Sequence, residues 1–220
     1  MERIKKLHPV AFLFDLDGTL IDSEMLWSRA IVSWLAAKGV QADLNHVAAL
    51  VFGHSWIDIH ASLRECFPSI PARSVYEDGL ELRDHYNLVA SDLTSIVIPS
   101  AVEFYKEVAK IAPCAIVSGS PHGDVETAVK ICGIEAETAF VLGMEDYARG
   151  KPAPDGYLAA AKRLGADPSR CIVVEDSSAG VKSGIAAGMV VIGIDRNRVV
   201  RQNLSGCTIT VSDLSEFTRK

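Results

Sequence analysis

Four places in this sequence, three of them directly after an apolar run, carry acidic, hydroxylic or basic residues of the types that phosphoryl chemistry uses. The first is Asp15-Leu-Asp-Gly-Thr19. If the chain stays extended through Leu16, Asp15 and Asp17 project to the same side, and the glycine lets the backbone turn. Ser118-Gly119-Ser120 offers hydroxyls and backbone N–H groups at the mouth of a helix, a suitable grip for a phosphate. In Gly150-Lys-Pro-Ala-Pro-Asp155 two prolines fix the approach to a helix, so that the Lys151 ammonium can point inward at a phosphoryl group. Val174-Glu-Asp-Ser177 sets Glu175 and Asp176 after another apolar run, as hard oxygen ligands for Mg²⁺. Each group also has an ordinary structural use: acids and serines cap helices, Asp-Gly makes turns, and lysines are usually solvated. Together they meet the demands of phosphoryl transfer, which are positioning and neutralisation of the equatorial oxygens.

These residues need a scaffold that presents strand ends side by side. Residues 10–14, 113–117, 171–174 and 190–194 are short continuous apolar runs, with a weaker one at 139–142, and they read as strands buried on both faces. Between them lie helical stretches at 101–111, 124–132, 155–164 and 179–187, several closed by glycine. The alternation predicts right-handed crossovers and an α/β fold with a doubly wound, Rossmann-like parallel sheet. From about residue 23 to 91 the rhythm breaks into helical periodicity alone, around 25–38, 44–51, 56–65 and 73–89. This predicts a core of residues 1–21 and 93–220 carrying an inserted helical cap, 22–92, over the carboxyl end of the first strand, where open α/β sheets bind ligands.

Composition narrows the partners. With 22 Lys+Arg against 28 Asp+Glu, the net charge of −6 leaves no basic field for nucleic acid or an anionic membrane. The hydrophobic share of 49% is that of a soluble globular protein. The apolar run near the start is too brief for a signal peptide or a span, which points to the cytoplasm. Five cysteines without a C-x-x-C pair read as reduced, small buried apolar residues. Oligomeric state is not legible.

In these motifs the sequence resembles the haloacid dehalogenase-like phosphohydrolases, whose four signatures match Asp15-Leu-Asp-Gly-Thr19, Ser118, Lys151 and Glu175-Asp176 in order. The resemblance spans nearly the whole chain and includes the cap's position and the Lys-Pro-x-Pro-Asp form of the third signature. It implies a Mg²⁺-dependent phosphatase acting on a small phosphate ester, with Asp15 as the nucleophile that becomes phosphorylated and Asp17 as general acid/base. Thr19 and Ser118 would grip the phosphate, and Lys151 would balance charge. Asp176 would ligate the metal with Asp15 and the backbone carbonyl of Asp17, and Glu175 would stand close to its water shell.

Within that family, Leu20-Ile-Asp-Ser-Glu24 and the cap loop Phe52-Gly-His-Ser-Trp56 resemble the group of β-phosphoglucomutase and the sugar-phosphate phosphatases. Resembling mutases use basic residues to hold a second phosphate, and here Trp56 and Pro121 stand at the aligned positions, with Trp27 in place of a histidine. That departure argues for hydrolysis of a sugar or polyol phosphate. Trp27, His54 and Trp56 could line its pocket, although Trp27 and Trp34, seven apart on one helix face, could equally staple the cap's own core. His122, near Ser120, could help cap or face the substrate. Cap opening would hinge near residues 22–23 and 92–98. The alternatives are a sugar-phosphate mutase and, in a different class, a catalytically silent sugar-phosphate-binding protein. A receiver-like signalling domain has its acids arranged differently and is about half this length.

Overall fold

The computed structural model describes residues 1–52, 54, 56–90, 93–196 and 201–218. Gly53 and Ser55 of the loop before Trp56, and Asp92 at the expected domain boundary, lie outside the described residues. The chain runs α1 (Glu2–Lys5), β1 (Ala11–Phe14), α2 (Ser23–Ala37), α3 (Leu44–Val51), α4 (Trp56–Cys66), α5 (Val75–Val89) and α6 (Pro99–Ala109). It continues through β2 (Cys114–Val117), α7 (His122–Cys132), β3 (Thr138–Leu142), α8 (Asp155–Leu164), β4 (Cys171–Glu175), α9 (Ser178–Ala186), β5 (Val190–Ile194), β6 (Ile209–Val211) and α10 (Ser215–Thr218).

Among the described residues the strands form one six-stranded sheet in the order β3-β2-β1-β4-β5-β6, every neighbouring pair parallel. From β1 the chain steps outward to β2 and β3, then returns to the other side of β1 to lay down β4, β5 and β6. This reversal opens a crevice at the carboxyl ends of β1 and β4, the usual ligand position in such sheets. β1, β2 and β4 are buried along their whole lengths, as the apolar runs of β1, β2 and residues 171–174 of β4 require.

Strand alternation divides the core between the two faces of the sheet. Ala11 and Leu13 pack with Tyr157 and Ala160 of α8 and Val181 of α9. Phe14 turns the other way and sets its ring 4.6 Å from Tyr105 and 6.1 Å from Phe104 of α6. Phe104 in turn lies 5.2 Å from Phe217 of α10. Gly133 and Gly165, at φ 61° and 63°, close α7 and α8 in the left-handed conformation that a side chain would disfavour.

The chain divides into two compact units, one of Met1–Ile21 with Val97–Lys220 and one of Asp22–Ile96. The second unit is helical. Its core holds Ile31, Trp34 and Leu35 of α2 with Leu82 of α5, and the Trp34 indole N–H donates to Glu81 at 3.0 Å. Asp78 of α5, fully buried, accepts from the Arg64 guanidinium of α4, while His60 Nε2 lies 3.0 Å from the same carboxylate. Arg64 also donates to the carbonyl of Ile70 at 3.1 Å, tying the α4–α5 connection to that charged centre. No helix among the described residues is long and apolar enough to cross a membrane.

Several features differ from the sequence reading, and α6 and α7 begin at Pro99 and His122, each two residues before its expected start. α5 starts at Val75 rather than residue 73, because Ser74 and Glu77 make a reciprocal capping box that fixes its first turn. β6 and the four-residue helices α1 and α10 are too short to impose a hydrophobic period. Cys66 is exposed at the end of α4, not buried like Cys114, Cys132 and Cys171, and Cys207 is intermediate.

Replacing Phe14 by alanine removes a fully buried ring from between the sheet and α6. The expected loss is about 3–5 kcal/mol of unfolding free energy in urea titrations; a loss below about 1 kcal/mol would show that the site collapses around the cavity.

Candidate active site

Asp15 directly follows β1, and its backbone N–H still donates to the Val174 carbonyl of β4 at 3.0 Å. The ladder thus fixes where its side chain leaves the sheet. The carboxylate Oδ1 accepts from Lys151, whose ammonium also donates to Glu175 Oε1 at 2.7 Å. Lys151 comes from the β3–α8 connection and has little exposure. Ser183 of α9 steadies that connection by donating to the Ala153 carbonyl at 2.7 Å.

Glu175 ends β4 and is fully buried. Its Oε1 accepts from Lys151 and, at 3.0 Å, from the Tyr157 hydroxyl. Its Oε2 accepts from the N–H groups of Asp176 and Ser177, at 3.0 and 2.9 Å, and from the Ser177 hydroxyl at 2.9 Å. The Ser177 hydroxyl then accepts from Gly180 N–H at 3.0 Å, capping α9. One carboxylate therefore holds the lysine, the following turn and the start of a helix.

Beyond Asp15 the backbone turns tightly, with Gly18 at φ 89°. Asp17 Oδ2 accepts from the Ser118 hydroxyl at 3.1 Å and from the Ser120 hydroxyl at 2.7 Å. Ser120 N–H donates back to Ser118 Oγ at 3.0 Å, and Tyr147 donates to the Ser118 carbonyl at 2.7 Å. The loop after β2 is thus fastened to the first turn and to the loop after β3. His122 strengthens the second fastening, with Nδ1 2.5 Å from Asp146 Oδ2. Hydrogen bonding to Asp146, against slight burial, raises the His122 imidazole above its ordinary value.

Asp15, Glu175 and Asp176 are all buried, and one carboxylate oxygen of each lies within 4.8 Å of the others. Thr19 reaches Asp176 Oδ1 at 3.4 Å. Burial, then the neighbouring Glu175 charge, pushes the Asp15 carboxyl well above the usual carboxylate range. Burial opposes the charge on Lys151, yet Asp15 and Glu175 outweigh it and hold the ammonium well above its ordinary value. The cluster has more carboxylates than cations and offers only hard oxygen donors, so it fits a divalent metal ion.

Asp15, Asp17, Thr19, Ser118, Ser120, Lys151, Glu175 and Asp176 therefore join one connected set around the ends of β1, β2 and β4. Gly119 lies exposed between the two serines, where an added Cβ would meet nothing within 4 Å. Trp27, His54 and Trp56 lie in the helical unit. The Trp27 ring stacks 4.1 Å from Tyr86, and the Trp56 indole donates to the Val75 carbonyl at 3.2 Å and meets His60 edge-on. His54 is exposed. Tyr147 and Tyr157 were not expected among these contacts. Tyr157 carries a sequence signal, the large polar-tipped residue on the buried face of an alanine-rich helix, whereas Tyr147 carries none.

The chain matches the haloacid dehalogenase-like hydrolase family model over residues 10–188 and belongs to that family. It is 36% identical over 186 residues to hexitol phosphatase A of Escherichia coli (strain K12), across 84% of this chain and 82% of that protein. To the fructose-1-phosphate phosphatase of the same organism it is 27% identical over 183 residues, across 83% and 94%. A solved HAD-family hydrolase from Deinococcus radiodurans R1, with bound phosphate and sodium, matches at a TM-score of 0.76 and 28% identity, covering 95% of this chain and 93% of that one.

A Cβ on Gly180 would fall 1.6 Å from Glu175 Oε1. Gly180→Ala is expected to lower stability by about 1–3 kcal/mol through this overpacking, although alanine is the better helix former. Urea denaturation would measure it; an unchanged or raised midpoint would show that Glu175 can move aside.

Proposed function

We propose that this protein is a phosphoric monoester hydrolase of small sugar or polyol phosphates, working through a phosphoryl group carried on Asp15. The observation that carries this reading is the pairing of two differently supported acids at one strand end. Asp15 is held by an ammonium, while Asp17 is held by two hydroxyl donors. The phosphatase activities named for the relatives support the reaction class, and their hexitol and fructose 1-phosphate substrates support the choice of a polyol or hexose phosphate.

In the first step a carboxylate oxygen of Asp15 forms a bond to phosphorus as the ester P–O bond breaks. Asp17 gives its proton to the departing alkoxide, so the sugar or polyol leaves as the neutral alcohol. In the second step Asp17 takes a proton from water. The water oxygen bonds to phosphorus, the Asp15 P–O bond breaks, and inorganic phosphate leaves with Asp15 restored. Ser120 orients the Asp17 carboxyl for both proton transfers, and Ser118 shares that hold until its one hydroxyl proton turns to the phosphate. Lys151 opposes the burial and the Glu175 charge that disfavour ionised Asp15, so it favours the charged, nucleophilic form, and it faces the phosphoryl charge, with Glu175 and Tyr157 fixing its position. Thr19 and Ser118 hydroxyls, with backbone N–H groups around Gly119, would grip phosphate oxygens. Mg²⁺ held by Asp15, Asp176 and the Asp17 backbone carbonyl, with Glu175 beside it, would supply charge neutralisation at those oxygens.

The Asp22–Ile96 unit would then act as the cap that selects the alcohol. Trp56, which donates to Val75 and packs on His60, brings no positive charge for a second phosphate, which favours water over a second sugar oxygen as acceptor.

Asp15→Asn is expected to lower p-nitrophenyl phosphate turnover by about 10⁴-fold or more while the circular dichroism spectrum and melting temperature stay near those of the parent. Chelation with EDTA should stop the parent enzyme, and added Mg²⁺ should restore it. Undiminished turnover by Asp15→Asn would remove the nucleophile assignment. Conversion of β-glucose 1-phosphate to glucose 6-phosphate without free phosphate, given a bisphosphate activator, would replace hydrolysis by mutase chemistry.

A further inference from the structure

The rule that functional residues follow strand ends has one more instance. β5 ends at Ile194, and two residues on, Arg196 turns back over the first strand's turn. Its Nη1 donates to the Gly18 carbonyl at 3.1 Å and its Nη2 to the Thr19 carbonyl at 3.2 Å. The N–H groups of the same two peptide units are tied elsewhere: Thr19 N–H and Leu20 N–H both donate to the Leu16 carbonyl, at 3.2 and 2.9 Å. Arg196 and Leu16 thus grip two consecutive peptide planes from opposite sides.

The turn needs such a grip. Gly18 at φ 89° occupies a region that only glycine enters freely, and glycine enters many other conformations as readily. Asp17 lies immediately before it and Thr19 immediately after, so rotation at Gly18 would misplace the carboxyl held by Ser118 and Ser120 and the hydroxyl beside Asp176. A guanidinium suits the task because its donors are set in a rigid planar fork that can span two acceptors. The same β5–β6 connection also fastens the start of α9, just beyond the fourth signature. Gln202 Oε1 accepts from the N–H and hydroxyl of Ser178, at 3.0 and 2.9 Å, at the start of α9.

We propose that Arg196 is a positioning residue that fixes Asp17 and Thr19 by clamping the Gly18 and Thr19 carbonyls from the β5–β6 connection. It acts through Asp17 and Thr19, whose geometry it determines. Its kinetic consequence rests on the phosphatase reading above, whereas the clamp itself does not.

The test compares Arg196→Met and Arg196→Lys with the parent by amide hydrogen exchange and by kinetics. In Arg196→Met, exchange at Thr19 and Leu20 should quicken by about tenfold or more through loss of the two hydrogen bonds, with Leu13 of β1 unchanged. On p-nitrophenyl phosphate at saturating Mg²⁺, kcat should fall by about 10- to 100-fold while KM moves less than about threefold. Arg196→Lys keeps the charge without the fork and should fall between parent and Arg196→Met in both readouts. Parental exchange at Thr19 and Leu20 in Arg196→Met would overturn the proposal, as would faster exchange with unchanged kcat. So would parental behaviour of Arg196→Lys in both readouts. If Arg196→Met does not fold, Arg196→Lys decides alone by the same criteria. If the parent itself fails to turn over p-nitrophenyl phosphate, the functional reading fails, while the exchange results still decide the clamp.

Discussion

Three carboxylates crowd one buried corner of the sheet, and a single lysine reaches into it. At about 4 Å and an effective dielectric near 20, two like charges repel by roughly 4 kcal/mol, so this corner cannot form unless other groups are brought to meet it. Much of the surrounding structure does so. The β3–α8 connection delivers the Lys151 ammonium, α8 delivers the Tyr157 hydroxyl, and the turn into α9 delivers two N–H groups and a hydroxyl to Glu175. The positive end of the α9 helix dipole lies in the same direction. A divalent cation would complete the neutralisation that these groups begin.

The sheet supplies position and almost nothing else. Its central strands bury apolar side chains on both faces, and the first polar groups stand where β1, β2 and β4 end. Loops without regular hydrogen bonding would leave those groups loosely placed, and here they are fastened to one another. Ser118 and Ser120 bind Asp17, Tyr147 binds Ser118, His122 binds Asp146, and Arg196 binds the Asp15–Thr19 turn. The two serines illustrate how a residue can serve the site twice. Their type suggests a grip on phosphate, while their hydroxyls also orient the neighbouring acid.

The strands that carry the site are legible in the sequence because burial on both faces forces continuous apolar runs, and the acids or serines that follow mark where those runs leave the core. The helices of the Asp22–Ile96 unit are legible from their period for the same reason. What escapes notice is whatever depends on contacts between distant segments. Nothing local to Arg196 says that it reaches Gly18, and nothing local to Tyr147 says that it donates to Ser118. β6 escapes because three residues on a sheet edge need little hydrophobic patterning. Cys66 departs from the expectation of burial because composition describes cysteines as a class, whereas its place at the end of α4 depends on the packing of that helix alone.

That exposed cysteine gives the molecule an unplanned chemical handle. Burial pushes the thiol of Cys114 up to about 12 and those of Cys132, Cys171 and Cys207 up to about 11, so few of them are thiolates near neutral pH. A maleimide dye or spin label added under mild conditions would therefore attach first to Cys66. The helical unit can carry a spectroscopic reporter on its native sequence, with the carboxylate corner chemically untouched.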